Sequence, residues 1–322
     1  MNTPPAANRC RLGRRGPSVT RLGLGCAPLG NLFSAISDDA ADATIDAAWD
    51  AGIRFFDTAP LYGLGLSERR LGRALQRHPR DDYVLATKVG RLLRDTPAPS
   101  PTIFADAPRL EPAFAYTHDD TLRSIDESLA RLGVDRLDVV HVHDPDDHED
   151  DALHGAFPTL IELREQNVIG AVGCGMNQWQ MLDRFVERVD LDCVLLAGRY
   201  TLLDHSGAHR LLPHCAQRGV GVIIGGVFNS GLLVDPDNSP TYDYTPAPAH
   251  LVTRARTMRD ICNRHGVSLA AAALQFALAN PVVTSIVIGA RSPDELRADL
   301  ADAETEIPTD LWTALAPHLQ SA

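Results

Sequence analysis

The sequence predicts an α/β fold, a (β/α)8 TIM barrel in a single domain over residues 1–322. Three observations lead there. Short apolar strands alternate with helices along the chain, which argues for a parallel sheet. Eight such units in 322 residues fit a closed barrel, which takes about 250 residues before insertions. A doubly wound open sheet would carry a G-x-G-x-x-G turn after its first strand. LGLGCAPLGN at 22–31 lacks that spacing.

The elements follow in order. LGLGC at 22–26 is the first strand. Ser37 and Asp38 can cap a helix whose Ala41, Ile45, Ala48 and Trp49 share one face, and Gly52 ends it. IRFFD at 53–57 is a short buried strand, followed by a helix at 68–77 and the strand YVLATK at 83–88. The Pro-rich stretch 97–113 reads as a long loop. Thr117 can cap the third helix, with Leu122, Ile125, Leu129 and Leu132 on its stripe and Gly133 at its end. LDVVHVH at 137–143 is the fourth strand. Helix 152–167, strand 168–173, helix 177–187, strand 192–196, helix 206–217 and strand 220–224 continue the alternation. A second Pro-rich loop at 236–248 leads to two helices near 250–265 and 268–279, then the eighth strand at 282–288. A C-terminal helix carrying Trp312 covers part of the barrel.

Composition narrows the function classes. The formal net charge of −12 repels phosphate backbones and argues against nucleic acid as a partner. No apolar run approaches the roughly 18 residues of a membrane span, so no membrane partner is expected. The basic N-terminal stretch MNTPPAANRCRLGRRGPSV has no apolar segment and does not read as a secretory signal. Cys10, Cys26, Cys174, Cys193, Cys215 and Cys262 are scattered, with no C-x-x-C pair. That argues against a disulfide framework or a structural zinc site, and for a cytoplasmic protein with reduced thiols.

In a barrel, chemistry belongs at the C-terminal ends of the strands. The second strand ends in Asp57, with Tyr62 just beyond, the third in Lys88 and the fourth in His143. Their chemistry fits together. A free Tyr, with a pKa of about 10, is a poor acid or base at neutral pH. A nearby Lys⁺ lowers that pKa. A buried Lys⁺ needs a carboxylate such as Asp57. A neutral His can donate one N–H to a carbonyl or alcohol oxygen. Together they form a proton donor and acceptor aimed at one oxygen, as carbonyl–alcohol interconversion requires.

The segments around these residues resemble the aldo-keto reductases. FFDTAPLYGLGLSERRLGRAL at 55–75 matches the family's Asp/Tyr signature, ATKVG its lysine segment and the His143 strand its histidine. The resemblance spans nearly the whole chain. It implies a barrel that binds NAD(P)(H) without a Rossmann domain. By the family pattern Tyr62 is the general acid/base, Lys88 and Asp57 its tuning pair, and His143 the group that orients the substrate. LGCAPLGNLF, HVHDPD, VGCGMNQWQML, GRYTLLD and IIGGVFNSGLL look like the aldose-1-dehydrogenase branch, to which a pyridoxal 4-dehydrogenase is similar. That likeness implies oxidation of a cyclic sugar at C1 to a lactone, with pyridoxal oxidation or general aldehyde/ketone reduction as alternatives. Phe228, Asn229, Ser230, Gly231 and Leu232 would line the pyrophosphate, and Asn177 would meet the nicotinamide amide. Gly289, Ala290, Arg291, Ser292 and Asp299, in IGARSPDELRAD, would take the adenosine end.

The chain departs from the broader family in three places. Ala197 replaces a common Gln at the nicotinamide amide, and Gly225 replaces a ring-stacking Tyr. Gly289 and Glu295 stand where NADP-preferring members carry Lys and Arg. A 2′-phosphate needs cations, whereas a 2′-hydroxyl can pair with an acidic residue. The expected cofactor is NAD, with NADP the alternative through Arg291. No metal is expected. The partner is a small sugar or aldehyde, and the chain is a monomer or small homo-oligomer.

Two rival readings come from other classes. The pair His141 and His143, two residues apart on one strand face, resembles the H-x-H of metal-dependent barrel hydrolases. Strands five to eight end in Cys174-Gly175, Ala197, Gly225 and Gly289, which supply no further ligands, so His141 reads as a core residue one layer below His143. The second rival is a non-catalytic, nicotinamide-binding regulatory subunit. Loops 91–116, 144–151 and 228–248 are the expected substrate-selecting loops.

Overall fold

The computed structural model describes residues 6–319; the first five residues of the N-terminal stretch lie outside them. Eight parallel strands close into a barrel in chain order. They are β1 (Leu22–Gly25), β2 (Phe55–Asp57), β3 (Val84–Val89), β4 (Leu137–His143), β5 (Ile169–Met176), β6 (Cys193–Ala197), β7 (Gly221–Gly225) and β8 (Val283–Ile288). The ring of helices comprises α1 (Asp38–Asp50), α2 (Leu66–Leu75), α3 (His118–Leu132), α4 (Phe157–Glu165), α5 (Trp179–Arg188), α6 (Leu211–Arg218), α7 (Ala249–Arg264), α8 (Leu269–Leu278), α9 (Pro293–Glu304) and α10 (Thr309–Leu315).

Local chemistry explains most boundaries. Ser37 accepts the Ala40 N–H at the start of α1, and Thr117 accepts the Asp120 N–H at the start of α3, each satisfying an otherwise orphaned helix donor. Gly133 closes α3 at φ +65°, a left-handed conformation that glycine adopts cheaply. The buried face of α3 is rotated from the expected stripe. It runs through Thr121, Ser124, Ile125, Ser128 and Leu132, while Leu122 and Leu129 are only half-buried. Small hydroxyl residues let α3 approach α2 and β3 closely, and that tight fit outweighs the larger apolar periodicity.

Side chains alternate inward and outward along each strand. Phe55, Val84, Ala86, Val139, Ala171, Cys193, Leu195, Ile223 and Val287 fill the barrel interior. A hairpin pairing Arg9–Arg11 with Ser18–Thr20 closes its lower end, and its fully buried Leu12 and Val19 join the interior cluster. A second core lies between the strands and the helix ring. A third joins α7, α8 and α10. The stretch expected as a plain loop at 91–116 holds an antiparallel hairpin, Arg91–Asp95 against Leu110–Phe114. A smaller hairpin, Thr241–Tyr242 against Thr245–Pro246, lies within 236–248. Helix α9, absent from the expected elements, opens with Ser292 as cap, Pro293 at its first position and Glu295 three residues on, a start signal that the sequence carried.

Candidate active site

The barrel brings Asp57, Tyr62, Lys88 and His143 to one mouth. Lys88 and His143 lie at the upper ends of adjacent strands, β3 and β4, and Asp57 ends β2. Lys88 Nζ donates to Asp57 Oδ2 at 2.7 Å and to the Thr58 carbonyl at 2.9 Å. Lys88 is 1% exposed and Asp57 2%. Burial pushes the Asp57 carboxyl up, and the Lys88 ammonium pulls it back. Asp57 Oδ1 finds no partner among the described residues.

Tyr62 hangs over this pair. Lys88 Nζ lies 4.9 Å from its ring centroid, a cation–π distance. The His143 ring meets it edge-on, centroids 5.8 Å apart at 89°. The turn that delivers Tyr62 depends on backbone contact with Gly30. A Cβ on Gly30 would lie 2.6 Å from the Tyr62 carbonyl carbon, and Gly63, at φ +62°, is equally crowded against Gly30. Ser67 ties the same turn down by donating to the Cys26 carbonyl at 2.7 Å and meeting Thr58 Oγ1 at 2.9 Å. This glycine pair leaves no local signature in the sequence, because its contact spans 33 residues.

The electrostatics differ from the expectation in one respect. Lys88 was expected to lower the Tyr62 phenol. Instead burial raises it well above its ordinary value, with Asp57, Tyr244 and Asp144 adding to the shift. Asp57 neutralises Lys88 at 2.7 Å, so the pair offers Tyr62 little net positive charge. The phenol is therefore protonated at neutral pH. His143 is pushed well below its ordinary value by burial and by Lys88 and Arg91, so its ring is neutral and retains one N–H. Asp144 follows it at φ +40°, 3.5 Å from His143 Nε2 and 3.6 Å from an Arg91 nitrogen. Its carboxyl is pushed up by burial.

The candidate cofactor residues follow β5, β7 and β8 in the chain. Gly25, Gly175 and Gly225 lie at the upper ends of β1, β5 and β7. A Cβ on Gly25 or Gly175 would meet nothing nearer than 3.5 Å, so packing does not demand glycine there; its absence leaves flat floor. A planar ring fits such a floor. Asn177, beyond β5, donates from Nδ2 to the Ala197 carbonyl at 3.0 Å. Phe228 packs between the inner and outer cores. In the turn after β7, Asn229 and Ser230 are consecutive left-handed residues at φ +46° and +58°. The N–H groups of Asn229, Gly231 and Leu232 bond within the turn, so fewer point outward than a phosphate nest would use. The Asn229 side chain is engaged at both ends, donating to the Gly198 carbonyl and accepting from Thr201.

Beyond β8, Gly289 is exposed and Ala290 buried. Ser292 caps α9. Arg291 is engaged: Glu295 accepts both its N–H and, at 3.0 Å, its guanidinium, which also reaches Ser34 Oγ at 3.2 Å. Asp299 lies nearly two turns along α9, and burial with Asp302 and Glu295 raises its carboxyl to about 7. His141 lies one layer below His143. It is fully buried beside Gly173, and neither ring nitrogen has a hydrogen-bond partner among the described residues. Among the described residues, no three His, Cys, Asp or Glu side chains are placed to hold a metal ion, and no helix is long and apolar enough to cross a membrane.

Comparison with known proteins bears on family and fold. The profile of the aldo/keto reductase family matches residues 21–319. The chain is 44% identical to a D-threo-aldose 1-dehydrogenase from a Pseudomonas species, over 98% of this chain and 97% of the relative. It is 42% identical to pyridoxal 4-dehydrogenase from Microbacterium luteolum, over 96% and 97%, and 33% identical to L-galactose dehydrogenase from Arabidopsis thaliana, over 92% and 88%. A solved aldo-keto reductase from Bacillus halodurans superposes with a TM-score of 0.78 at 24% identity, over 98% and 97%, which supports the fold. The chain belongs to the aldo/keto reductase family and is a nicotinamide-dependent oxidoreductase.

Proposed function

We propose that the chain oxidises a cyclic aldose at C1 to its lactone, with NAD as acceptor. The observation that carries this reading is the placement of Tyr62 between the buried Lys88–Asp57 pair and the neutral His143 ring. The likeness to aldose and galactose dehydrogenases supports the substrate class. When bound, the dinucleotide accepts or returns the hydride. The protein's own groups handle the proton and the substrate oxygen. His143 donates its N–H to that oxygen and fixes its position. Tyr62 exchanges a proton with the same oxygen. Lys88 and Asp57, paired with each other inside the barrel, support the phenol from below. Asn177, residues 228–232, residues 289–292 and Asp299 are the groups we assign to the dinucleotide.

NAD is preferred over NADP on the same evidence of pairing. Glu295 occupies Arg291, so a 2′-phosphate must displace a carboxylate to reach the cation. Oxidation of pyridoxal is the second reading, favoured by 42% identity to a pyridoxal 4-dehydrogenase. Six unpaired cysteines suit a reducing compartment such as the cytoplasm.

The test is a panel of L-fucose, D-arabinose, L-galactose and pyridoxal with each dinucleotide, read by reduced-nicotinamide absorbance and product analysis. A lactone from at least one sugar, with kcat/KM higher for NAD, is expected. Glu295→Ala should improve kcat/KM for NADP about ten-fold, the worth of one freed charge-assisted contact at 1.4 kcal/mol. Turnover of pyridoxal alone moves the substrate to the second reading. A higher kcat/KM for NADP in the wild type refutes the cofactor assignment.

A further inference from the structure

The loop after β7 returns across the barrel mouth as a two-residue hairpin turn. Both turn residues, Asp243 at φ +49° and Tyr244 at φ +62°, are left-handed, an unfavourable conformation for residues with side chains. Such a turn persists only where its surroundings impose it. Arg199, in the loop after β6, supplies the grip. Its Nη1 and Nη2 donate to Asp243 Oδ1 and Oδ2 at 3.0 and 2.6 Å, a two-pronged pairing. The same guanidinium donates to Tyr242 Oη at 3.2 Å, and Tyr242 Oη donates to Asp204 at 2.9 Å. From the other side, Ser230 Oγ accepts the Tyr244 N–H at 3.2 Å.

The consequence is the position of Tyr244. Its ring reaches Phe33, in the loop after β1, with centroids 5.9 Å apart. The hairpin thus spans the mouth from the β6–β7 side to the β1 side. The Tyr244 ring is 48% exposed. Its phenol is nevertheless raised by burial and by Asp144, and it helps to raise Tyr62 in turn. The loop that carries Phe33 also packs Gly30 against the Tyr62 turn, so Tyr244 stands on the loop that borders the reacting phenol.

We propose that Tyr244 is a wall of the substrate pocket and that Arg199 is a positioning residue that sets this wall through Asp243. The inference rests on the oxidoreductase reading of the same mouth. An aromatic face that carries a phenol suits a compact polyhydroxylated substrate. The C–H face of the ring sugar lies on the aromatic, and a hydroxyl meets the phenol. The Arg199–Asp243 pairing holds the wall at the height that such a ring needs. Arg199 touches no reacting atom; it acts only by holding the turn.

The test is a double-mutant cycle on the full chain, read with L-fucose and NAD⁺ and, in the reductive direction, with benzaldehyde and NADH. Tyr244→Ala is expected to raise KM about ten-fold, the usual worth of one lost pocket contact, with the loss falling mainly on KM. Arg199→Met should raise KM comparably in the wild-type background and add nothing in the Tyr244→Ala background. Arg199→Lys, which keeps the charge but loses the fork, should fall between. Hydrogen exchange reads the latch without any turnover: Arg199→Met should speed exchange at 241–246 and at 31–36. Unchanged KM in Tyr244→Ala overturns the wall. Additive effects of the two variants, or unchanged exchange at both segments, overturn the latch. Turnover of benzaldehyde without the sugar defeats the aldose reading and leaves the cycle to decide the wall on the aldehyde.

Discussion

The Lys88–Asp57 pair makes a quantitative prediction that separates stability from chemistry. Both side chains are almost fully excluded from water, and Asp57 Oδ1 is unpartnered. Removing one partner strands the other charge in the barrel. Breaking such a pair costs about 3–5 kcal/mol, whereas replacing both charges by neutral groups of similar volume is often close to neutral. Lys88→Met and Asp57→Asn should each lower the unfolding free energy by about 3 kcal/mol. For Lys88→Met the lower end applies because the stranded carboxyl, already raised by burial, can take up a proton. The double variant should come within about 1 kcal/mol of wild type, giving a coupling energy of about 5 kcal/mol. It should not recover activity, because the ammonium beneath Tyr62 is still missing. The assay is urea denaturation of the four proteins beside kcat/KM on one substrate. Single variants within about 1 kcal/mol of wild type, or a double variant as unstable as the sum of the singles, would refute the reasoning. A double variant with wild-type turnover would refute the catalytic half.

Two further predictions concern pH. The Tyr62 phenol is raised and so remains protonated at neutral pH; oxidation, which needs it as a base, should speed up with rising pH, while reduction, which needs the protonated form, should stay flat over the same range and fall only at its alkaline end. Oxidation that slows with rising pH, or reduction that speeds up with it, would show that another group moves the proton. His141 is held down to about 3 by burial and Lys88, below an ordinary histidine near 6.5, so its stabilising contribution is complete above about pH 6.5 and is lost as pH falls toward 3. Between those limits the unfolding free energy should drop by roughly 1.4 kcal/mol per pH unit on account of His141. His141→Phe should remove that share of the slope, as acid-titrated urea melts would show; an unchanged slope would mean that His141 is already charged in the folded barrel.

What could be read from the sequence was what one stretch of chain decides by itself. The eight strands are short apolar runs ended by turn residues, and their order predicts the barrel. Asp57, Lys88 and His143 are recognisable because a parallel barrel sends the C-terminal end of every strand to one face, so three separate local patterns suffice to gather them. The hairpin at 91–114 escaped notice because Pro112 and the half-exposed strand residues dilute its alternation. The α3 face was misplaced because close approach to α2 selects Ser124 and Ser128 over Leu122 and Leu129. The raised Tyr62 phenol depends on burial and on carboxylates that converge only in three dimensions. Tyr244 is legible in the sequence only as one of five loop aromatics, with Phe104, Phe114, Tyr116 and Tyr242, that could wall the pocket or pack their own loops, and Arg199 is not singled out at all. Their roles come from a turn held between three loops, and nothing in GRYTLLD or YDYT alone announces it.

The central claim is that Tyr62 is the proton-transfer group of a nicotinamide-dependent aldose oxidation. The most direct measurement compares wild type and Tyr62→Phe for reduced-nicotinamide formation from an aldose and NAD⁺, with NADH binding followed by fluorescence on both proteins. The account predicts that the variant binds NADH as the wild type does and loses turnover by at least about 100-fold, the scale of general acid–base catalysis. Turnover that survives the loss of the hydroxyl would contradict it.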